Sequence, residues 1–293
     1  MTDGLCGLLV VDKPSGMSSH GVVGRVRRLA GTRRVGHAGT LDPMATGVLV
    51  LGIGRGTRLL TYLVGADKEY LATVRLGAAT TTDDAEGEVV ATSDASHLAG
   101  PDVSVAMAPL RGTLDQVPSA VSAIKVDGKR AYARVRDGED VTLAARRVTV
   151  TAFDLVAVRT EQPFIDVDVH VACSSGTYVR ALARDLGAAL GVGGHLTSLR
   201  RTRVGPFTLA SVHVLDEMSA PIDDAIVPLG VAAASFLPER TLTDDEAARV
   251  RHGVAPAPTG TSGAVALRDA DGVLIAVAED AGPRADLRAV FVG

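Results

Sequence analysis

The chain predicts an α/β (α+β) fold with a small β-rich C-terminal part, and three observations carry that reading. Residues 68–77 and 164–173 alternate apolar and polar side chains at the period of a strand. Residues 20–29 and 179–190 space their apolar side chains at the period of a helix. Near residue 216 the composition turns acidic and proline-punctuated, with a helix expected over 243–252 and strands over 264–267, 273–278 and 287–292. At 293 residues and 46% apolar content, the chain can fill one large core and a small second one.

Taken in order, residues 7–12 form a short apolar run, expected as a buried strand, and Lys13-Pro14-Ser15-Gly16 breaks it with turn chemistry. Ser18 or Ser19 can cap the helix that follows, in which Val22, Val23, Val26 and Leu29 share a face and Arg25 and Arg28 lie on another. That helix should stop near Gly31. The next stretch, Gly36-His37-Ala38-Gly39-Thr40-Leu41-Asp42-Pro43-Met44-Ala45-Thr46-Gly47, gathers turn formers around one carboxylate and runs into the apolar residues 48–51. Its glycines admit positive φ and Pro43 keeps Asp42 out of the helical region, so a stiff loop feeding a buried strand is expected. Such a loop suits a catalytic group, although Asp-Pro is also an ordinary turn dipeptide.

Glycines 52, 54 and 56 fit neither the Walker pattern nor the dinucleotide fingerprint, so a tight strand-to-helix connection is expected there. Tyr70 should stand near the start of the strand at 68–77, and residues 80–87 form an acidic loop with a strand return near 88–91. Residues 116–130 read as strand pieces around an Asp127-Gly128 turn, and strands are expected over 148–158 and 164–173. The polar face of the last is expected to meet solvent or lie at a sheet edge. Ser or Thr within 174–177 can cap the helix carrying Arg180, a cation at the end of a helix that favours anions, so Arg180 needs an anionic partner, with Asp42 as a candidate.

Cys6 and Cys173 stand alone, which indicates neither a disulfide framework nor a zinc site. The absence of a basic segment followed by a long apolar run leads to the expectation of a cytoplasmic, non-membrane protein. The net charge of −4 hides segregation. Residues 1–60 carry eight Lys/Arg against three Asp/Glu and residues 176–215 five against one, whereas residues 216–293 carry six against thirteen. A basic region offset by an acidic one fits a nucleic-acid binder of modest total charge.

Four segments, Asp12-Lys13-Pro14-Ser15-Gly16-Met17-Ser18-Ser19, 36–47, 68–77 and 173–182, jointly resemble the bacterial TruB-type tRNA pseudouridine synthases. The likeness spans residues 5–215, and residues 216–293 resemble the family's PUA-like RNA-binding module weakly. The resemblance implies a catalytic domain (1–215) on a mixed, mainly antiparallel sheet, then the small domain (216–293). It implies isomerisation of uridine at position 55 in the T arm of tRNA to pseudouridine, with base flipping and no cofactor or metal. Asp42 matches the catalytic aspartate, Arg180 its arginine partner, Tyr70 the tyrosine that stacks on the flipped base, and Leu199 an apolar pocket residue. His37 matches a histidine that fills the space left in the RNA. Asp84 matches an acidic residue near the pocket, and Lys13 a Lys-Pro motif that braces the loop; both are grouped with His37 and Leu199 around the substrate.

Ala120-Val121 departs from a common Met-Tyr pair. From charge placement, Arg25, Arg28, Arg33, Arg34, Lys125, Lys129, Arg130, Arg200 and Arg201 are the expected phosphate contacts of a monomer on the tRNA T stem-loop. The competing readings are a non-catalytic tRNA-binding or RNA-folding protein, which the basic patches would equally serve, and a metal-dependent hydrolase using His20, His37 and Asp42, for which the ligand count is short.

Overall fold

The structure, a computed structural model, describes residues 4–119, 125–126, 129–130 and 143–292. Two compact units divide the chain: residues 1–43, 47–65 and 204–293 in the first, and 44–46 with 66–203 in the second.

In the first unit, strand β1 (Gly7–Lys13) lies between β14 (His213–Val214), parallel to it, and β3 (Thr46–Ile53), antiparallel. Strand β2 (Val35–His37) also pairs with β3. Leu8, Leu9, Val10 and Val11 are all at most 1% exposed, so β1 is covered on both faces, which is why its sequence is a continuous apolar run without alternation. Helix α1 (Ser19–Leu29) buries Val22, Val23 and Val26 and is capped by Ser18, whose side chain accepts from the Gly21 N–H at 3.1 Å. After β3 the chain turns through residues 54–58 into helix α2 (Leu60–Val64). A Cβ on Gly56 would sit 2.1 Å from the Gly7 carbonyl oxygen, so close backbone packing explains the glycines there.

The C-terminal elements belong to this same unit. Helix α5 (Leu229–Ala234) precedes the four-stranded order β15 (Glu239–Thr241), β16 (Ala264–Arg268), β17 (Leu274–Ala281), β18 (Arg284–Val290), and α6 (Asp244–Arg251) follows β15. Thr243 and Glu246 form a capping box on α6. One apolar core joins Leu8, Val10, Val48 and Val50 to Ala232, Ala266, Val277 and Phe291. A second gathers Leu242, Val250, Leu267 and Ile275. The compact division therefore cuts the chain elsewhere than the 215/216 boundary expected from composition. The reason is packing: Leu8 and Val227 exchange backbone hydrogen bonds at 3.0 and 2.8 Å, and the guanidinium of Arg55 reaches the Phe291 carbonyl at 2.7 Å.

The second unit is built on the strand order β12 (Gly194–Val204), β4 (Lys68–Leu76), β11 (Phe164–Cys173), β10 (Arg146–Glu161), β7 (Gly112–Gln116). The β4–β11, β11–β10 and β10–β7 pairs are antiparallel while β1 and β14 pair in parallel, so strand pairing is mixed and mainly antiparallel as expected. Strands β5 (Ala78–Thr80) and β6 (Val89–Thr92) form a hairpin around the acidic loop. Helices α3 (Gly100–Met107) and α4 (Val179–Ala189) belong to this unit, as does β8 (Lys125–Val126), which pairs with β9 (Lys129–Arg130); in the first unit a short strand β13 (Phe207–Thr208) precedes β14.

One expectation is narrowed and another corrected. Strand β11 is not an edge strand, lying between β4 and β10; its polar face does meet solvent at the partly exposed Asp168 and His170 and also carries cross-strand pairs: Arg75 holds Asp166 with two bonds of 2.8 Å, and Thr73 donates to Asp168 at 2.7 Å. The N-terminus of α4 has no Ser or Thr cap. Thr177 donates back to Ser174, and the carboxamide of Gln116 holds both backbone groups of the capping residue Tyr178, at 2.8 and 3.1 Å.

Candidate active site

Asp42 lies in the first unit, in the turn between β2 and β3. Gly39 and Gly47 on either side have φ of +91° and +101°, a region closed to most other residues. Leu41 and Ala45 are buried while Asp42 is half-buried, so the turn is anchored in the core around a carboxylate that reaches its surface. Lys13, 0% exposed, donates to the carbonyls of Pro14 at 2.8 Å, Met17 at 2.6 Å and Pro43 at 3.1 Å. The Gly16 N–H also donates to Pro43, at 2.9 Å. The ammonium charge is thus placed among carbonyl dipoles, which is how a fully buried lysine is tolerated. Lys13 braces the loop as the resemblance implies, and its grouping with the substrate residues is corrected, because its burial leaves no surface for RNA. His37 ends β2, half-buried, with its ring edge-on to His20 at 5.6 Å.

Tyr70, Leu199, Arg180 and Asp84 lie in the second unit. Tyr70 lies on β4, 7% exposed, on the buried face with Lys68, Ala72, Val74 and Leu76; Leu199 on the neighbouring β12 is 8% exposed. Arg180 stands in the first turn of α4 at 4% exposure. It donates to the Thr82 carbonyl at 2.8 Å and meets the Asp84 carboxylate at 3.3 Å. One turn later Arg184 meets Asp83 at 3.3 Å, so two arginines at helical spacing face two consecutive carboxylates. Burial pushes the Asp83 carboxyl above its ordinary value, against the pull of Ser119 and the two arginines. Asp84 is corrected from a substrate contact to an anchor. At 2% exposure, its carboxylate is taken by Thr82 Oγ1 at 2.5 Å, the Glu86 N–H at 3.0 Å and Arg180. Arg180 therefore has an anionic partner inside its own unit, answering the charge question that its helix position raises.

Arg28, Arg33 and Arg34 are exposed, as phosphate contacts must be. Arg25 is engaged with Asp216 at 2.6 Å, and Arg200 is half-buried, donating to Thr46 Oγ1 at 3.2 Å. Arg201 is corrected: at 1% exposure on the buried side of β12 it cannot touch a phosphate. The side chains of Lys125, Lys129 and Arg130, and the pair Ala120-Val121, lie outside the described residues. Among the described residues no group of three His, Cys, Asp or Glu side chains gathers at metal-holding spacing, so His20, His37 and Asp42 do not form a ligand set. Sequence reasoning missed Ser19 as anything but a possible cap and missed Gln116; the signal for Ser19 was a second serine where one suffices.

Beside Tyr70 on β4, Lys68 is 6% exposed and donates to the Ala66 carbonyl at 2.7 Å. Burial, then the Arg201 guanidinium, lowers its pKa from 10.5 to about 8, whereas burial pushes its cross-strand neighbour Cys173 up to about 11. Between pH 8 and 10.5 the unfolded chain keeps a proton at this lysine that the folded chain has released, so the lysine's contribution to stability rises with pH across that window. The expected result is that the unfolding free energy of wild type gains on that of Lys68→Met by about 3 kcal/mol from pH 7.5 to 10.5, measured by urea titration. A pH-independent difference would contradict the burial of the ammonium.

Residues 27–179 match the TruB family pseudouridylate synthase N-terminal domain, residues 180–229 the tRNA pseudouridylate synthase B C-terminal domain, and residues 237–292 the tRNA pseudouridine synthase II C-terminal domain. The tRNA pseudouridine synthase B of Arthrobacter sp. (strain FB24) is 55% identical, covering 98% of this chain and 97% of that protein. The protein of the same name from Thermobifida fusca (strain YX) is 54% identical, over 98% and 99%. Among solved structures, the chain is similar to one in a Cbf5-Nop10-Gar1 complex, with a TM-score of 0.74 and 26% identity over 98% of this chain and 85% of that one. It is likewise similar to a chain of an H/ACA RNP bound to a substrate RNA containing 2'-deoxyuridine, with a TM-score of 0.73 and 25% identity over 98% and 85%. With a braced aspartate turn, a buried arginine on a helix N-terminus, a strand tyrosine, and matches running nearly end to end, the chain belongs to the TruB family of pseudouridylate synthases.

Proposed function

We propose that this protein converts uridine to pseudouridine at position 55 in the T arm of tRNA. The observation that carries the reading is the Asp42 turn: a half-buried carboxylate held between two anchored neighbours, within a segment that matches the pseudouridylate synthases. The substrate class is drawn from the near full-length relatives named tRNA pseudouridine synthase B.

A uridine stacked in a folded loop is out of reach, so it is extruded, at a cost of a few kcal/mol of unstacking that new contacts offset. Asp42 then acts on the nucleoside as the glycosidic C–N bond breaks; the freed uracil turns and rejoins the ribose through C5. The C5 proton leaves and N1 gains one, so the reaction is an isomerisation that needs no acceptor, metal or redox group. Arg180 contributes positive charge to the reaction. Tyr70 stacks on the extruded base, Leu199 lines the pocket, and His37 fills the space left in the RNA. Residues 216–293 serve as an RNA-binding module, and the enzyme acts as a cytoplasmic monomer.

The decisive experiment is mass-resolved mapping of pseudouridine in a T-arm transcript incubated with the purified protein. Modification confined to the T-loop uridine supports the proposal; its absence, with the RNA bound, would favour the non-catalytic tRNA-binding reading. The phosphate contacts have their own test. Replacing exposed Arg33 and Arg34 together by Ala is expected to flatten the slope of log affinity against log salt by about 2, while Arg201→Ala leaves the slope unchanged.

A further inference from the structure

We infer that Ser19 is a positioning residue for Asp42, its hydroxyl fixing the peptide that enters the carboxylate as Lys13 and Gly16 fix the residue that leaves it. The inference rests on the reading of Asp42 as the reacting group.

The helix cap is made by Ser18, so Ser19 is not needed for it. Ser19 is 1% exposed, and a hydroxyl so buried destabilises unless bonded. It is bonded twice, both times to one residue: it donates to the Leu41 carbonyl at 2.9 Å and accepts from the Leu41 N–H at 2.8 Å. The Leu41 carbonyl belongs to the peptide plane that continues into the nitrogen of Asp42, so holding that oxygen limits φ at Asp42. On the other side the Pro43 ring restricts ψ at Asp42. The Pro43 carbonyl is in turn fixed by Lys13 Nζ at 3.1 Å and the Gly16 N–H at 2.9 Å.

Asp42 lies outside β2 and β3, so no strand ladder sets its orientation. Residues 13–19 do so instead, gripping positions 41 and 43 while leaving the carboxylate between them half-buried. An attacking group displaced by about 1 Å can lose on the order of 10²-fold in rate, so this grip bears on turnover before it bears on RNA affinity.

The test uses the full chain with Ser19→Ala, read by kcat and KM for pseudouridine formation on a tRNA transcript, by equilibrium tRNA binding, and by amide exchange. The expected result is a fall in kcat of about 10- to 100-fold with tRNA affinity within twofold of wild type, and faster exchange at the Leu41 amide while β1 and β3 stay protected. Unchanged kcat, or a loss confined to tRNA affinity, overturns the inference. Should Ser19→Ala not fold, Ser19→Cys, whose longer bonds and weaker donor loosen the same contact, is read by the same criteria. Asp42→Asn run alongside separates the two readings: if it stays active, the role given to Asp42 fails; if it is inactive while Ser19→Ala is fully active, only the role given to Ser19 fails.

Discussion

Asp42→Asn is expected to lower pseudouridine formation by at least about 10³-fold while leaving tRNA affinity within a few-fold of wild type. The substitution keeps the shape of the side chain and removes its charge, so the bonds from Ser19, Lys13 and Gly16 to the backbone of residues 41 and 43 stay in place. What is lost is the anionic oxygen that can attack or stabilise an electron-poor sugar carbon. Single-turnover assays with saturating enzyme isolate this step from binding. A variant that modifies tRNA at the wild-type rate would remove Asp42 from the mechanism.

The second large effect concerns stability. Asp84→Ala is expected to destabilise the second unit by about 3–5 kcal/mol, because it takes the carboxylate from a guanidinium that is 4% exposed. It also strips a partner from Thr82 Oγ1 and the Glu86 N–H, loosening the loop between β5 and β6. Urea titration followed by far-UV circular dichroism measures the loss. A change below about 1 kcal/mol would place this pair in the class of exposed ion pairs. Activity falls with it, since Arg180 is held by the same contacts.

The strands and helices were legible where one face is buried: the alternation at 68–76 and the stripe at 179–189 are direct images of burial. The Asp42 turn was legible as a turn, since Gly39, Pro43 and Gly47 have few other uses, and its chemistry came from the family resemblance. What residue patterning hid was the contacts made at a distance along the chain. Nothing local says that Ser19 meets a residue 22 positions away, or that Arg201 points inward where Arg28 points outward. A count of arginines cannot separate these, because inward or outward placement depends on which strand lies alongside. The composition break at 216 was real as chemistry and yet not a packing boundary, since the segments on its two sides share one core.

That shared core has a consequence for how the protein is made. Strand β1 is synthesised before Ala232, Ala266, Val277 and Phe291, with which Leu8 and Val10 share one core. Until residue 291 emerges, an oily strand stays partly bare and its pairing partner β14 has no finished support. The nascent chain therefore carries an incompletely covered apolar strand until those later residues are made. The loop-closure entropy of such distant partners makes this unit slow to form and dependent on protection while it waits.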